Sequence, residues 1–412
     1  MSAAGRRGIP GPAAGAREKR ATLGTGLFTT GVWDMLTVAV PLHALAVGLN
    51  AAEIGLVVAA RSVLPTALSI HGGIVMDELG VRRVLLWVAG ATASLPLLYP
   101  VSGWFALLVG LQLLLGLASN LAMGASQTWS LQTSHGDTAE LARFSLVSRI
   151  GTFLGPILVG AVWDVFGAWA TFACISLWGA GSVAFAVYGR PDTAGAASSA
   201  APPAGGRSIT AALVPRWDLH RQALELAAIP AVAFVLAVSF LRNTPGAVQG
   251  SLYVVYLADI GLSGTLIGGL VALAELAGVL GSALAAPMER LARAHWLVIG
   301  SVAVSIVAIS ITPLVAHALV LLIAAAVVRG TAQGMSQPLL YSILGRAVPS
   351  TMHGAAVGLR HAVTRFASML IPAGMGIAAE AWGIEASFYV VGVVLLLAAA
   401  ALAVIARGML PR

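Results

Sequence analysis

Apolar residues run through this chain in blocks of about 20, the length that crosses a hydrocarbon core, and short polar or glycine-rich intervals separate the blocks. They predict spans at 22–48, 53–75, 84–100, 103–127, 142–164, 168–189, 224–258, 264–287, 295–313, 317–343, 353–378 and 385–406, twelve helices in two sets of six. The apolar positions do not alternate with period two, which excludes a transmembrane β-barrel. A Pro/Ala/Gly-rich stretch at 191–207 divides the chain nearly in half. The expected organisation is therefore a tail over 1–21, a six-helix bundle over 22–190, a linker over 191–222, a second bundle over 223–406 and a tail over 407–412. The seventh span is expected to begin with an amphipathic piece along the membrane surface.

Composition agrees with this pattern. Hydrophobic residues make up 58% of the chain and charged residues 9%, with a mean hydropathy of +0.92, whereas soluble proteins carry about 25% charged residues. A large soluble core does not explain that deficit, because its surface would still need covering. One cysteine, Cys174, excludes an intrachain disulfide and a cysteine metal cluster. The net charge of +7 does not point to nucleic acid, since the loop arginines are dispersed at helix ends. The opening tail holds Arg6, Arg7, Arg17, Lys19 and Arg20. The apolar stretch after it is too long for a signal peptide and carries Asp34, so it reads as a retained first span. With both termini cytoplasmic, the inner segments also hold Arg82, Arg83, Arg143, Arg190, Arg207, Arg216, Arg221, Arg290, Arg293, Arg346, Arg407 and Arg412. The outer loops hold acids such as Asp259 and Glu385 but no Lys or Arg, as the positive-inside rule requires of a multi-pass cell-membrane protein.

Two segments match at an offset of 216 residues. SRIGTFLGPILVGAVWDVFGAWATF (148–172) aligns with TRFASMLIPAGMGIAAEAWGIEASF (364–388). The alignment pairs Arg149 with Arg365, Pro156 with Pro372, Gly160 with Gly376, Asp164 with Glu380, Gly167 with Gly383 and Phe172 with Phe388. Matched arginine, proline and acid positions imply that the fifth and eleventh spans are copies, as expected for halves related about the membrane normal.

With these features the chain resembles the major facilitator superfamily of secondary transporters. The family signature between the second and third helices, G-x-x-x-D-(R/K)-x-G, reads here as GIVMDELGVRR and places Gly73, Asp77, Gly80, Arg82 and Arg83. Glu78 replaces the usual base. A worn copy, APMERLAR, places Glu289, Arg290 and Arg293 between the eighth and ninth helices. The antiporter signature of the fifth helix matches Gly151, Gly155, Pro156 and Gly160, with Val159 where a further glycine often stands. The arginine usual in the fourth helix is absent. The resemblance implies a twelve-helix, all-α fold of two pseudo-symmetric bundles. It further implies a gating role for the 73–83 segment, close packing at the interface between the halves for the glycine–proline motif, and alternating access around a midplane site. On the residues alone, Gly80 suits a tight turn, and Arg82 and Arg83 suit anchoring.

Charges within spans carry the candidate chemistry, because they are costly there. Arg61, Arg149, Arg242, Arg329, Arg360 and Arg365 all lie in apolar helices. Asp34, with Thr30, Thr37 and Pro41 on roughly its own face, is the first candidate for proton coupling, and Glu275 is the second. The competing reading is a permanent ion pair, for instance Asp34 with Arg61. Asp164 and Glu380 lie near outer helix ends and read as caps or gate contacts. Arg242, Gln249, Tyr253 and Tyr256 form one stripe on the seventh helix, which Asn243-Thr244-Pro245-Gly246 is expected to loosen. Arg329, Gln333 and Ser336 share a face of the tenth, and His361 and Arg365 stand four residues apart on the eleventh. Arg360 lies about 140° around the helix from Arg365. His43 reads as structural.

The arginines outnumber the central acids, which favours a solute bearing a carboxylate, sulfonate or phosphate, since guanidinium forks match such groups. No catalytic triad, HExxH or phosphate-binding GxxxxGK[ST] loop occurs, so neither an enzyme nor an ATP-driven pump is expected, and no cofactor or metal. The expected function is proton-driven export of a small organic anion or amphiphile by a monomer in the lipid bilayer. Proton-coupled or exchange uptake of an organic anion is the first alternative, and a non-transporting receptor or scaffold the second.

Overall fold

The computed structural model describes residues 12–134, 137–189, 225–348 and 353–409, and the regular elements among them are helical. They are α1 (Pro12–Ala46), α2 (Ala51–Leu79), α3 (Val81–Ser94, continued by a 3-10 turn Leu95–Leu98) and α4 (Phe105–Ser134). Helix then runs over Thr138–Tyr188 with one break at Gly167, whose φ of 70° favours glycine, giving α5 (138–166) and α6 (168–188). α7 (230–259) comprises Pro230–Val248, a π-helical turn Gln249–Tyr253 and Val254–Asp259. α8 (Gly264–Glu289), α9 (Ala294–Ser310), α10 (Leu319–Ala347), α11 (His353–Trp382) and α12 (Ile384–Met409) complete the order. Among the described residues, ten stretches are long and apolar enough to cross a membrane. Counting the two sides of Gly167 separately and adding the shorter Ala294–Ser310 recovers the expected twelve. The chain is a multi-pass membrane protein.

The start of the chain differs from expectation. α1 begins at Pro12, within the stretch read as a tail, and polar side chains clamp its first turns to other helices. Arg17 Nε donates to the Tyr188 carbonyl at 2.7 Å, Trp129 Nε1 donates to the Glu18 carboxylate at 3.2 Å, and Lys19 pairs with Glu140. Residues 1–11, the linker 191–222 and the amphipathic piece expected before α7 lie outside the described residues, apart from a 3-10 turn at Leu226–Ala228.

The internal repeat extends beyond the fifth and eleventh spans. The α1–α2 and α7–α8 turns match at an offset of 213. Leu49 N–H bonds the Ala44 carbonyl at 3.1 Å, and Leu262 N–H bonds the Leu257 carbonyl at 2.9 Å. Gly48 and Gly261 supply the positive φ that such six-to-one helix ends need, 83° and 88°. Asn50 and Ser263 then cap the next helix through their side chains. Gly116 brings α4 against the backbone of Arg61 in α2, and Gly330 brings α10 against that of Ala274 in α8.

The halves meet where α5 lies on α8 and α2 on α11. Gly268 faces the Pro156 carbonyl and Gly55 faces the Pro372 carbonyl, the matched prolines of the repeat. Gly160 touches Gly264, and Gly376 touches Ala51 and Gly55. Asp164 reaches across to α8, accepting from the amides of Gly264 at 2.6 Å and Thr265 at 2.8 Å and from the Thr265 hydroxyl at 2.6 Å. A carboxylate at a helix start meets free N–H groups and the positive end of the helix dipole. These contacts cluster at the end of the bundle opposite the termini. One buried apolar cluster draws on both halves there, through Met35, Tyr99, Phe172, Ile267, Met375 and Phe388. Two further clusters each stay within one half, around Val84 and Trp129 and around Val235 and Leu340. The halves thus share a core at one end and keep separate cores toward the other.

Candidate functional site

Trp33 lies in the middle of α1, and two guanidiniums sit on its ring. Arg61 of α2 lies 3.5 Å from the ring centroid and Arg365 of α11, in the other half, 4.4 Å. Arg61 is buried and spends its donors on α1: Nη1 donates to Thr37 Oγ1 at 3.1 Å and Nη2 to the Trp33 carbonyl at 2.5 Å. Asp34 comes next in sequence, beside Thr152 and within electrostatic reach of Glu275 and Arg61. Among the described residues no arginine nitrogen lies within 4.0 Å of Asp34 or Glu275, and Asp34 and Arg61 do not form an ion pair.

The second group of polar side chains lies between α7, α10 and α11. Pro245 has no N–H for the Leu241 carbonyl one turn back, and the Thr244 hydroxyl bonds that carbonyl instead at 2.6 Å. The helix is therefore not loosened at 243–246. The irregularity falls one turn later, in the π turn, where the Ser251 hydroxyl bonds the Ala247 carbonyl at 2.8 Å. Arg242 donates to Ser336 Oγ at 2.7 Å, to the Gln333 carbonyl at 3.2 Å and to Gln337 Oε1 at 2.9 Å. Asn243 ties α7 to α11 through the Thr364 carbonyl and Ser368 Oγ at 2.9 and 2.6 Å. Arg360 is buried and donates to the Tyr341 hydroxyl at 2.5 Å, lying 4.4 Å from that ring.

The embedded arginines separate by what they touch. Arg61, Arg242 and Arg360 are committed to hydroxyls and carbonyls. Arg329 is buried, 5.2 Å from the Tyr253 ring. Arg149 is exposed on α5 and acts electrostatically on Glu275 across the halves, and Arg365 meets only the Trp33 ring among the described contacts. His361 is exposed one turn from Arg365. Glu275 is under the influence of Arg329, Arg149 and Arg242 together.

Several expected site residues have other employment. The stripe on α7 does not hold as one face, because the π turn rotates the residues after it relative to Arg242. Gln249 and Tyr253 are buried within that turn, and the Tyr256 hydroxyl donates to Glu385 at 3.2 Å while its ring packs edge-on against Phe388. Arg329, Gln333 and Ser336 share a face of the continuous helix α10, and on it the Gln333 backbone carbonyl and Ser336 Oγ accept from Arg242. Asp164, expected as a cap or gate contact, caps the start of α8 from the opposite half. His43 is buried between Tyr99 and Phe172, its Nε2 3.4 Å from the Ser102 carbonyl.

The glycine–proline motif of α5 divides between two partners. Gly151 and Gly155, four residues apart, face α1 at Leu27 and Gly31 within the same half, whereas Pro156 and Gly160, also four apart, face α8. In the 73–83 segment, Gly80 has a φ of 87° between α2 and α3. Arg82 donates to the carbonyls of Ala186 and Val187 at 2.9 and 3.3 Å, anchoring the end of α6, and Arg83 is exposed. Gly73 and Asp77 lie in α2, and their side-chain surroundings fall outside the described residues. Two apolar grooves of about 400 and 460 Å³ lie between α11 and α12 and between α9 and α10, lined almost wholly by aliphatic and aromatic side chains and away from these charges. Sequence reasoning missed Trp33 and Tyr341 as guanidinium partners.

Solved structures of low identity share this fold across nearly the whole chain. A nucleoside transporter, NupG, is 14% identical with a TM-score of 0.75, covering 94% of this chain and 98% of that one. A bacterial homologue of the human lysosomal transporter Spinster, inward-facing and unoccupied, is 14% identical with a TM-score of 0.70, covering 95% and 96%. A POT family transporter in complex with 5-aminolevulinic acid is 11% identical with a TM-score of 0.73, covering 96% and 97%. No curated protein matches the sequence. The family model of the Major Facilitator Superfamily matches residues 22–245 and 234–411, and with two helix bundles joined along α2–α11 and α5–α8 around a polar centre, the chain belongs to that superfamily.

Proposed function

We propose that this protein is a proton-driven secondary transporter that exports a small organic anion or amphiphile across the cell membrane. The observation that carries the reading is the pair Arg149 and Arg365. They are matched by the repeat, one on each half, and their guanidinium donors are not committed to protein acceptors among the described contacts. A carboxylate, sulfonate or phosphate held between them would draw on both halves at once, which is what a solute must do to bias a rocking equilibrium. His361 adds a polar group one turn from Arg365, and Trp33 an apolar face. Asp34 and Glu275 carry the protons, because both lie among arginines without being locked into ion pairs. The bundles move as units about the two helix interfaces. With the termini in the cytoplasm, the state described opens inward, since the shared core lies at the opposite end. The glycine–proline motif of α5 favours export.

Counterflow in proteoliposomes tests the reading: preloaded anionic solutes should drive uptake of the same labelled solute, and an imposed proton gradient should drive solute and proton in opposite directions. Parallel movement of the two would establish uptake instead. Absence of counterflow across an unbiased panel of organic anions would remove the anion assignment.

A further inference from the structure

The start of α9 carries charges that the transport reading does not use. Arg290 and Arg293, in the worn copy of the signature, and Arg407, in the last turn of α12, are exposed at the end of the bundle that carries the termini. Glu289 is the acid among them. Arg407 lies over the Trp296 ring, 5.7 Å from its centroid, and Arg293 acts electrostatically on His295. Neither the Arg293 nor the Arg407 guanidinium donates to a protein acceptor among the described contacts. The groove of about 460 Å³ between α9 and α10 begins at the same tryptophan. Trp296, Gly300 and Val304 line it at every fourth residue of α9, with Val328, Ala332 and Met335 facing them from α10. The Ser301 hydroxyl beside them turns back to the Val298 carbonyl at 2.9 Å. From Trp296 to Val304 is about 12 Å of helix, most of the depth of one leaflet in a core about 30 Å thick. The other groove, between α11 and α12, begins at Trp382 at the opposite end of the bundle, where the exposed charges beside it are the acids Glu380 and Glu385.

We propose that the α9–α10 groove holds an acyl chain of one anionic phospholipid, drawn from the leaflet on the side of the termini, with its phosphate at Arg293 and Arg407. Membrane orientation explains the sign of these arginines but not the groove beside them. Any phospholipid offers a chain to such a groove, and the guanidiniums choose among headgroups. They match phosphate oxygens, and basic residues at a helix end attract anionic lipid. A zwitterionic lipid presents the same phosphate with an ammonium beside it, which two guanidiniums repel. Trp296 marks the boundary between chain and headgroup, the level at which indole rings sit in a bilayer. All three helices belong to the C-terminal half, so the lipid travels with that half, apart from the solute-binding arginines.

Native mass spectrometry of the purified full-length protein, delipidated and titrated with dioleoylphosphatidylglycerol or dioleoylphosphatidylcholine, tests this. The two lipids share their chains and differ in headgroup charge. The expected result is one phosphatidylglycerol retained at saturation, about tenfold or more tighter than phosphatidylcholine, as two basic residues near a membrane surface should give. Arg293→Gln combined with Arg407→Gln should bring the two lipids level, whereas Arg143→Gln, at an exposed arginine on the same end of the other half, should change nothing. Gly300→Phe should release the lipid with every charge in place, because a Cβ at Gly300 meets no neighbouring atom and the ring enters the groove. Equal retention of both lipids, a preference that survives the double substitution, a loss as large in Arg143→Gln, or retention that survives Gly300→Phe overturns the proposal. So does a lipid-independent dimer that Gly300→Phe dissolves, which would give the groove to a second copy of the chain. Should Gly300→Phe fail to fold, crystals of the unaltered protein with phosphatidylglycerol brominated in its chains decide: a bromine peak between α9 and α10 supports the groove, and its absence overturns it.

Discussion

Gly268→Ala is expected to shift the protein away from the state described here while leaving it folded. The added methyl group would land on the Pro156 carbonyl and near the Ile157 amide, atoms of the opposite half that have no rotamer to move to. Inserting one carbon into a packed contact costs about 1–3 kcal/mol. Because 1.4 kcal/mol is a factor of ten, the balance between the two states should move by about 5- to 150-fold. The strain exists only while α5 and α8 touch at this level, so it acts on the conformational equilibrium. Gly151→Ala is the matched control. Its methyl group meets the Leu27 carbonyl inside the N-terminal half, so both states pay equally and only stability falls. Spin labels on Val165→Cys and Leu266→Cys, exposed positions flanking the contact, in a Cys174→Ser background would report the separation of the two helix ends. A longer component should appear in Gly268→Ala and not in Gly151→Ala. Distance distributions that match the unaltered protein in both variants would refute the idea that this contact closes in one state and opens in another.

Asp34→Asn should abolish accumulation driven by a proton gradient while sparing most solute binding, and unchanged gradient-driven transport would dismiss Asp34 from coupling. Arg365→Ala should weaken binding of anionic solutes at least tenfold, with Arg149→Ala giving a comparable loss; equal affinity in a folded variant would take either residue out of the solute site. Gly383→Ala forces a side chain into a φ of 88° and should cost about 1–2 kcal/mol, read as a lower melting temperature. Thr244→Val should leave the Leu241 carbonyl without its hydroxyl partner and destabilise α7 by about 1–3 kcal/mol, with a melting temperature equal to that of the unaltered protein counting against the compensation argued for Pro245.

Hydropathy made the spans legible because the bilayer sets one length for all of them. The start of α1 was not legible: Pro12 and the Gly/Ala-rich residues beside it read as a tail, and their anchors are distant, in Glu140, Trp129 and Tyr188. The α5–α11 match was visible because it carries an arginine, a proline and an acid. The 213-residue match of the other turns rests on Gly48 and Gly261 with their caps, a signature too short to stand out among 47 glycines. Buried arginines announced themselves as a set, since charge in an apolar run is conspicuous. Their partners did not, because hydroxyls, carbonyls and the Trp33 face carry no charge to pair by inspection. The π turn has no visible signal either, and past it Tyr256 reaches Glu385, a contact that the 3.6-residue period does not predict.

Four of the six turns opposite the termini are short. One residue, Gly167, joins α5 to α6, one residue, Gly383, joins α11 to α12, and four residues join α1 to α2 and α7 to α8. The other two connections on that face, 95–104 and 311–318, are longer but each folds into a short helical turn, Leu95–Leu98 and Thr312–Val315. The contacts that join the halves there are made by the helix ends themselves, through Asp164, Gly160, Gly264 and Gly376, so opening that face means parting those ends. A binding protein raised against that face would therefore meet an epitope assembled from both halves, present in one state and pulled apart in the other. Such a reagent would report conformation from the side of the membrane opposite the termini, and by holding the face together it would stop the cycle without entering the solute path.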